Sequence, residues 1–343
     1  MEDYKNILVI RMSSLGDIIH TLPTLYALRK NWPQARIVWA VHPQFKPVLP
    51  GKPYIDEIVC VEERRLLYPP YWYTLRKRLH SYHFDLSLDL QGWAKSAVVA
   101  LCSGATRRVG YGELAEGSRL VSTMLTGSHC HGNLVERYLD TVRALGGTTD
   151  TVAFPLPDLG AATQATAAVM QQDGIGETYV VAVPGARWAL KEWPLPQWRE
   201  LLRRITAQGM SVVLLGSKAD GPKGEYLRRE VPSPYLRDYI GKTTILEMMA
   251  IIRGASLFIS ADTGPLHAAN ALQRPLIALF GTTGAARSAP YHGGDKQHIQ
   301  VLISPTARAD ARHPKIKDPD CMRQITVDRV WEAYEQSRRK FRF

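Results

Sequence analysis

The alternation of short apolar runs with helix-length segments constrains the fold of this 343-residue chain more than any other feature. The run Ile7-Leu8-Val9-Ile10 is continuous and rich in β-branched residues, as in a strand buried on both faces, and residues 15–30 then follow a helical pattern. Further strands are predicted over residues 57–61 and 84–90. This alternation predicts a parallel sheet with helices on its faces.

The chain is longer than one hydrophobic core usually supports, so we expect two domains. Prolines and a glycine between Phe154 and Gly160 indicate a linker. The second half then repeats the alternation, with predicted strands over residues 179–183, 211–215, 257–260 and 276–280. We therefore predict two doubly wound, Rossmann-like α/β domains, residues 1–157 and 158–325, with a cleft between them.

Composition and charge narrow the class of protein. The formal net charge of +11 favours an anionic partner, such as nucleic acid, anionic lipid or a phosphorylated small molecule. The chain contains no run of 18 apolar residues, and its first residues lack the layout of a secretory signal, so we expect a cytoplasmic protein. The four cysteines form no C-x-x-C pair, so neither a disulfide framework nor a structural metal site is indicated.

Asp17 lies in the predicted turn between the first strand and the first helix. This turn has one glycine, Gly16, where a dinucleotide-binding fingerprint has three, and His42 follows the second strand where an acid would bind a ribose. A nicotinamide or flavin cofactor is therefore not expected. A carboxylate at the carboxyl edge of a parallel sheet can act as a general base, and it can also cap the helix. The residues leave both interpretations open.

In the second half, Asp262, Thr263 and Gly264 follow a predicted strand and precede a helix. The free N–H groups of that helix would face an anion such as a pyrophosphate, whereas an ordinary capped turn is the alternative. Arg187 and Lys191, in the turn after the strand at 179–183, can neutralise phosphates at the same sheet edge.

Two more turns carry glycine and polar residues at the predicted strand ends of the second half. The turn from Gly216 to Asp220 can hold a nucleoside, and residues 280–284 complete the rim. Together these turns favour a nucleotide-diphosphate site.

A basic and aromatic cluster lies in the first half. Arg64 and Arg65 precede Tyr68 and residues 71–73, and residues 76–78 are again basic. This pattern suits a membrane interface or a large phosphorylated ligand. A helix with a solvated basic face and aromatic residues turned to the core is the alternative.

Motifs spread over nearly the whole chain resemble one family. They comprise residues 13–23, 84–85, 89–92, 95–96, 184–188, 191, 193–194, 260–267, 280–283 and 321–322. In this order and composition they are similar to glycosyltransferase family nine, whose founding members are the lipopolysaccharide heptosyltransferases. The resemblance implies two facing Rossmann-like domains of the glycosyltransferase B-type, with the final helix, in residues 326–343, packing back on the first domain.

The resemblance also implies an inverting transfer that uses no metal and no cofactor. Asp17 would take the proton from the acceptor hydroxyl, with His20 either assisting or serving as a buried structural histidine. By resemblance, the donor would be held by Lys191, Asp262, Thr263, Gly264 and His267. The turn residues Arg187, Gly216 and Asp220, singled out above, complete the predicted donor site. The acceptor would lie against the first domain, at Ser14, Gly16, His20, Arg64, Arg65, Gln91, Gly92 and Lys95.

The function predicted on this basis is transfer of heptose from ADP-heptose to the inner core of lipopolysaccharide. The acceptor would be a lipid-linked phosphorylated saccharide of the Kdo-lipid A type, so peripheral contact with the cytoplasmic face of the inner membrane is expected. Lipopolysaccharide heptosyltransferases often carry hydroxyl residues where residues 186–188 are Ala-Arg-Trp. Another nucleotide sugar or another surface-glycan acceptor is therefore the alternative within the family.

Two other classes of function are less favoured. One is a non-catalytic binder of nucleotides or nucleic acid, and the other is a sugar-nucleotide epimerase of similar architecture. The basic residues are not gathered with a known recognition motif, so we expect no nucleic-acid partner.

Overall fold

The computed structural model describes residues 2–294, 297–307, 318 and 320–343. The chain divides into two compact units, Met1–Pro157 and Asp158–Phe343. Each unit is built on one six-stranded sheet, and every strand pairing in both sheets is parallel. The predicted α/β class with two Rossmann-like sheets is confirmed.

In the first unit the strands and helices alternate along most of the chain. The strands are β1 (Asn6–Ile10), β2 (Arg36–Val41), β3 (Glu57–Cys60), β4 (Leu86–Asp89), β5 (Arg107–Tyr111) and β6 (Thr123–Leu125). The helices are α1 (Leu15–Asn31), α2 (Pro69–His80), α3 (Ala94–Ser103) and α4 (Leu134–Ala144). The strand order is β3-β2-β1-β4-β5-β6, so the fully buried run Ile7–Ile10 lies at the centre of the sheet.

The second unit repeats this plan. Its strands are β7 (Tyr179–Val183), β8 (Ser211–Leu214), β9 (Leu236–Asp238), β10 (Leu257–Ala261), β11 (Leu276–Phe280) and β12 (Ile299–Ile303). Its helices are α5 (Gly160–Gln172), α6 (Leu195–Ala207), α7 (Gly221–Glu230), α8 (Ile245–Gly254), α9 (Gly264–Ala271), α10 (Ala285–Ser288) and α11 (Val327–Phe341). The strand order is β12-β11-β10-β7-β8-β9.

Both sheets have a topological switch point between their first and fourth strands. The chain moves outward from β1 in one direction and then returns to place β4 on the other side of β1, and β7 and β10 repeat this arrangement. In doubly wound sheets ligands bind outside the carboxyl ends of the strands at such a point. The turns after β1 and β4, and those after β7 and β10, therefore occupy the favoured positions for a binding site.

The last helix packs on elements of the second unit. α11 packs against α6, β11 and β12 of the second unit. Its apolar stripe of Val330, Ala333 and Tyr334 is part of the second core, where Trp193 also donates a hydrogen bond from Nε1 to the Ile325 carbonyl at 2.8 Å. Because burial of this stripe holds α11 against that core, the helix belongs to the second unit.

The edge strand β3 was predicted, but β5, β6, β9 and β12, which lie at or near the sheet edges, were not. β6 and β9 have three residues each, and β5 begins with two arginines. Such segments lack a long apolar run, and they are defined by pairing with a neighbouring strand. Among the described residues, none of the helices combines the length and the apolar character needed to cross a bilayer.

Candidate active site

Asp17 is both a helix-capping residue and an accessible carboxylate. Ser14 is the N-cap of α1, and its backbone N–H and Oγ donate to Asp17 Oδ2 at 3.2 and 2.8 Å. The Asp17 side chain nevertheless keeps 35% of its surface exposed. The two interpretations of the sequence are therefore compatible, because one carboxylate oxygen forms the cap while the side chain stays in reach of a ligand.

Arg11 is a site residue that the sequence did not identify. It lies just after β1, and its Nη2 is 2.8 Å from Asp17 Oδ1. Burial favours the neutral form of Asp17, but Arg11, His20 and the Ser14 hydrogen bonds outweigh it, so the pKa of Asp17 lies below its ordinary value. Asp17 is therefore ionised at neutral pH, as a proton acceptor must be. A cation at the end of a strand was the only local signal for Arg11.

The turn after β4 is joined to the turn after β1. Gln91 is buried, and its Oε1 accepts the Met12 N–H at 2.8 Å. Asp89 accepts the backbone N–H groups of Gln91 and Gly92 at 2.9 and 2.8 Å, and burial raises the pKa of this carboxyl. Gly92 has φ +75°, and a Cβ there would lie 3.1 Å from the Glu113 carbonyl oxygen. Gln91 and Gly92 thus shape the turn next to Asp17.

Glu63 connects Lys95 to the same turn. Its Oε1 accepts the Ser13 Oγ at 2.6 Å, and its Oε2 lies 3.3 Å from Lys95 Nζ. Lys95 is therefore an ion-paired cation in this structure. Of the other predicted acceptor residues, Gly16 and His20 are buried in α1. Glu63 was missed by sequence reasoning because it is 50 residues from Ser13 in the chain.

The basic and aromatic cluster contains both half-buried and exposed aromatic residues. Tyr71 and Trp72 are half-buried and pack on the first core, as in the helix alternative. Leu67, Tyr68 and Tyr73, in contrast, are 74%, 65% and 74% exposed. They lie among exposed basic residues, which are Arg64, Arg65, Arg76, Lys77 and Arg78. We refer to these eight exposed residues as the 64–78 surface.

In the second unit, Lys191 and Asp262 meet at the switch point between β7 and β10. Lys191 ends a short 3₁₀ helix after β7, and its Nζ is 2.7 Å from Asp262 Oδ2. His267 Nε2 lies 3.3 Å from Asp262 Oδ1. Burial opposes ionisation of Asp262, but His267 and Lys191 outweigh it and hold its pKa well below the ordinary range.

Thr263 and Gly264 form the start of α9 beside this pair. Thr263 is the N-cap, and Gly264 is the first helical residue. The N-terminal N–H groups and the helix dipole favour an anion at this position. Arg187 is an exposed cation in the turn after β7. The structure therefore brings Lys191, Asp262, Thr263, Gly264 and His267 together, and their role in phosphate binding stays a prediction.

Asp220 has structural partners for both of its carboxylate oxygens. Oδ2 accepts the Ser217 Oγ and N–H at 2.7 and 3.0 Å, and Lys223 Nζ is 2.7 Å from Oδ1. The carboxylate lies against Gly185, where a Cβ would be only 2.1 Å from Oδ1. Asp220 thus holds the turn after β8 against the turn after β7, and Gly216 lies beside it, since a Cβ there would be 3.3 Å from Asp220 Oδ2.

The second unit also has a cavity of about 350 Å³ that is not lined by the turns after β7 and β10. It is lined by residues in and next to α5, β9 and α8, including Thr166, Asp173, Tyr239, Lys242, Glu247 and Ile251. None of the predicted donor-binding residues lines it. We therefore base the candidate site on the two switch points.

Comparison with known proteins shows the family of this chain. The family model described as glycosyltransferase family 9 (heptosyltransferase) matches residues 72–316. The chain belongs to glycosyltransferase family 9. The predicted family and the prediction of a glycosyltransferase are thus confirmed. Lipopolysaccharide heptosyltransferase 1 of Pseudomonas aeruginosa is 28% identical to this family 9 chain over 308 residues, which cover 85% of this chain and 83% of that relative.

Solved structures show the same fold. A glycosyltransferase family 9 protein from Veillonella parvula superposes with a TM-score of 0.87 at 20% identity, over 98% of each chain. The E. coli heptosyltransferase WaaC with ADP-2-deoxy-2-fluoro heptose superposes with a TM-score of 0.72 at 22% identity, over 96% of this chain and 99% of that one. At these identities the likeness concerns the fold, and it confirms the predicted glycosyltransferase B-type architecture.

Proposed function

We propose that this family 9 chain transfers heptose from ADP-heptose to the inner core of lipopolysaccharide, with inversion at the anomeric carbon. The observation that carries the proposal is the placement of charged groups at both switch points. One sheet presents the ionised carboxylate of Asp17, and the other presents the Lys191–Asp262 pair beside the N-terminus of α9. Similarity to lipopolysaccharide heptosyltransferase 1 supports the choice of donor and acceptor.

The second unit would bind the nucleotide sugar. During transfer the bond between the anomeric carbon and the diphosphate oxygen breaks, and its electron pair leaves with the diphosphate. Lys191 and the N–H groups at the start of α9 stabilise that negative charge. Asp262 holds Lys191 in place through Oδ2, and His267 Nε2 lies 3.3 Å from the other oxygen of the same carboxylate.

The first unit would bind the acceptor. Asp17 accepts the proton of the acceptor hydroxyl as that oxygen bonds to the anomeric carbon from the face opposite the diphosphate. A carboxylate with a lowered pKa is sufficient, since the hydroxyl becomes acidic as it bonds to a carbon with cationic character. The reaction requires an enzyme–substrate complex in which the acceptor hydroxyl lies between Asp17 and the anomeric carbon. Water must be excluded from this complex.

The 64–78 surface would face the membrane that carries the acceptor. Its exposed arginines and lysine suit anionic headgroups and the phosphates of a lipid-linked saccharide, and its exposed Leu67, Tyr68 and Tyr73 suit the interface. Glu63 ties the start of this surface to Ser13, three residues before Gly16. The acceptor is therefore proposed to reach Asp17 from this side of the first unit.

The deciding experiment is Asp17→Asn in the full chain. We expect loss of transfer, followed as ADP release in the presence of a Kdo-lipid A acceptor, with the dissociation constant of ADP unchanged within about twofold because the donor site is in the other unit. Turnover retained by Asp17→Asn would contradict the proposal.

A matched control is Asp56→Asn. Asp56 also pairs with an arginine of the first unit, Arg29, at 2.6 Å, and its side chain is 32% exposed, close to the value for Asp17. This variant should keep full transfer.

The identity of the donor is tested with wild-type protein and a panel of ADP-, UDP- and GDP-sugars. ADP should be released fastest, and faster release from another nucleotide sugar would exclude ADP-heptose as the donor.

A further inference from the structure

Arg11 is a buried cation with three different neighbours. It is 5% exposed, and its Nη1 donates to the Leu90 carbonyl while its Nη2 contacts Asp17 Oδ1 at 2.8 Å. Its guanidinium also lies 5.5 Å from the centroid of the Tyr138 ring. A buried charge is tolerated only when it is paired and hydrogen-bonded, so these contacts hold the guanidinium in one position.

The contacts of Arg11 span the switch point of the first sheet. Leu90 directly follows β4, whereas Asp17 belongs to the helix that follows β1. The guanidinium is planar with donors in a fixed geometry, so a bond to the Leu90 carbonyl also sets the direction of the bond to Asp17. Ser14 holds the second oxygen of Asp17. Both oxygens of the carboxylate are thus oriented by the protein.

We propose that Arg11 is a positioning residue for the transfer. Through its contacts with Asp17 and the Leu90 carbonyl, it holds the Asp17 carboxylate in a single orientation. This inference rests on the proposed role of Asp17 as the proton acceptor. Arg11 itself is too deeply buried to contact the substrate, and it acts only through Asp17.

The ionisable groups around Arg11 and Asp17 determine how removal of Arg11 changes the pKa of Asp17. His20 on α1 faces Asp17, while Asp89 on β4, Tyr111 on β5 and Tyr138 on α4 are the ionisable groups around Arg11. Arg11 makes the largest contribution that opposes the effect of burial, ahead of His20 and the Ser14 hydrogen bonds, so without Arg11 the pKa of Asp17 would rise.

The test is the pH profile of kcat/KM for Arg11→Gln and Arg11→Lys in the full chain. For Arg11→Gln we expect the acidic limb to move up by about 1–3 pH units, as expected when an arginine beside an aspartate is lost. We also expect kcat at neutral pH to fall about tenfold, with both KM values nearly unchanged, because the loss concerns the reacting group. Arg11→Lys keeps the charge but not the double contact, so a smaller shift and a severalfold loss of kcat are expected.

The control is Arg29→Gln. Arg29 also joins a carboxylate, Asp56, to backbone carbonyls, those of Pro33, Ala35 and Tyr54. This variant should lose stability without any shift of the acidic limb.

The outcomes separate this inference from the proposed function. Turnover by Asp17→Asn would contradict the function itself. An inactive Asp17→Asn variant combined with a wild-type pH profile and kcat for Arg11→Gln would overturn the positioning role alone. If Arg11→Gln does not fold, Arg11→Lys decides, since a wild-type kcat would overturn the inference and a reduced kcat at unchanged KM would support it.

Discussion

Lys191 Nζ lies 2.7 Å from Asp262 Oδ2, although 71 residues separate the two side chains in the chain. The contact forms because β7 and β10 are neighbours in the sheet, so the turns that follow them share one edge. The lysine is therefore held by a carboxylate before any anion binds. In the proposed donor site, the lysine and the N-terminus of α9 would attract a diphosphate.

Replacement of Lys191 by alanine should weaken ADP binding. A hydrogen bond to a charged group contributes roughly 1.5–3 kcal/mol, and about 1.4 kcal/mol corresponds to a tenfold change in the dissociation constant. We therefore expect ADP affinity to fall at least about tenfold, measured by isothermal titration calorimetry. The matched control is Lys223→Ala, since the Lys223 side chain is 22% exposed against 20% for Lys191 and also pairs with carboxylates. Equal losses in the two variants would argue against a specific phosphate contact by Lys191.

Replacement of Leu67, Tyr68 and Tyr73 by serine should weaken binding to vesicles that contain phosphatidylglycerol. Full burial of one such side chain contributes roughly 1.5–3 kcal/mol, so partial insertion of three should give at least about a tenfold difference in affinity. Binding should also weaken as the salt concentration rises. The double variant Arg64→Gln/Arg65→Gln should lose about 1 kcal/mol of binding free energy per removed charge. Vesicle co-sedimentation measures both effects.

Leu120→Ser provides the control for membrane binding. Leu120 is 92% exposed, but it lies outside the 64–78 surface. A loss of vesicle binding as large as that of the triple variant would mean that general surface hydrophobicity, and not this surface, drives the association.

The free energy of unfolding should decrease in acid. The pKa values of Asp17, Asp140, Asp220 and Asp262 are all lowered in the folded protein. A carboxyl with a lowered folded pKa adds stability that is complete above its unfolded value of about 3.9 and is lost as the pH falls through the folded value. Denaturant unfolding at a series of pH values between 7 and 3 should show this loss.

The Asp262→Asn variant should flatten the acidic part of that profile, because it removes one of the contributing carboxylates. Asp328→Asn is the control, since its carboxylate is 84% exposed and its ion pair with Arg204 should contribute little. An unchanged acid slope in Asp262→Asn would show that the Asp262 network does not contribute to acid sensitivity.

Particular strands show how far the sequence predicts the fold. The predicted strands over residues 179–183 and 276–280 agree with β7 and β11 to the residue, because central parallel strands are continuous apolar runs. β6 and β9 were not predicted, since three-residue edge strands owe their conformation to hydrogen bonds with a neighbour. α11 was predicted as a helix, but its amphipathic pattern did not indicate which core its apolar stripe joins.

The sequence likewise identified some residues of the candidate site and not others. The turns that carry Asp17 and Asp262 were identified from strand, glycine and helix signals close together in the chain. Arg11 and Glu63 were not identified as site residues, because their role depends on partners brought close by strand order. Asp220 was predicted to bind the nucleoside, and the structure shows its carboxylate engaged with Ser217 and Lys223.

The sequence by itself determined the α/β class, the alternation of strands and helices, the family and the position of the polar turns at strand ends. These properties follow from local patterns of apolar, glycine and charged residues. Only the tertiary structure decided which groups contact each other. Lys191 pairs with Asp262, Arg11 contacts both Asp17 and the Leu90 carbonyl, and the apolar stripe of α11 joins the second core. Such contacts depend on which strands are adjacent and on what burial does to each ionised group, and no short stretch of sequence contains that information.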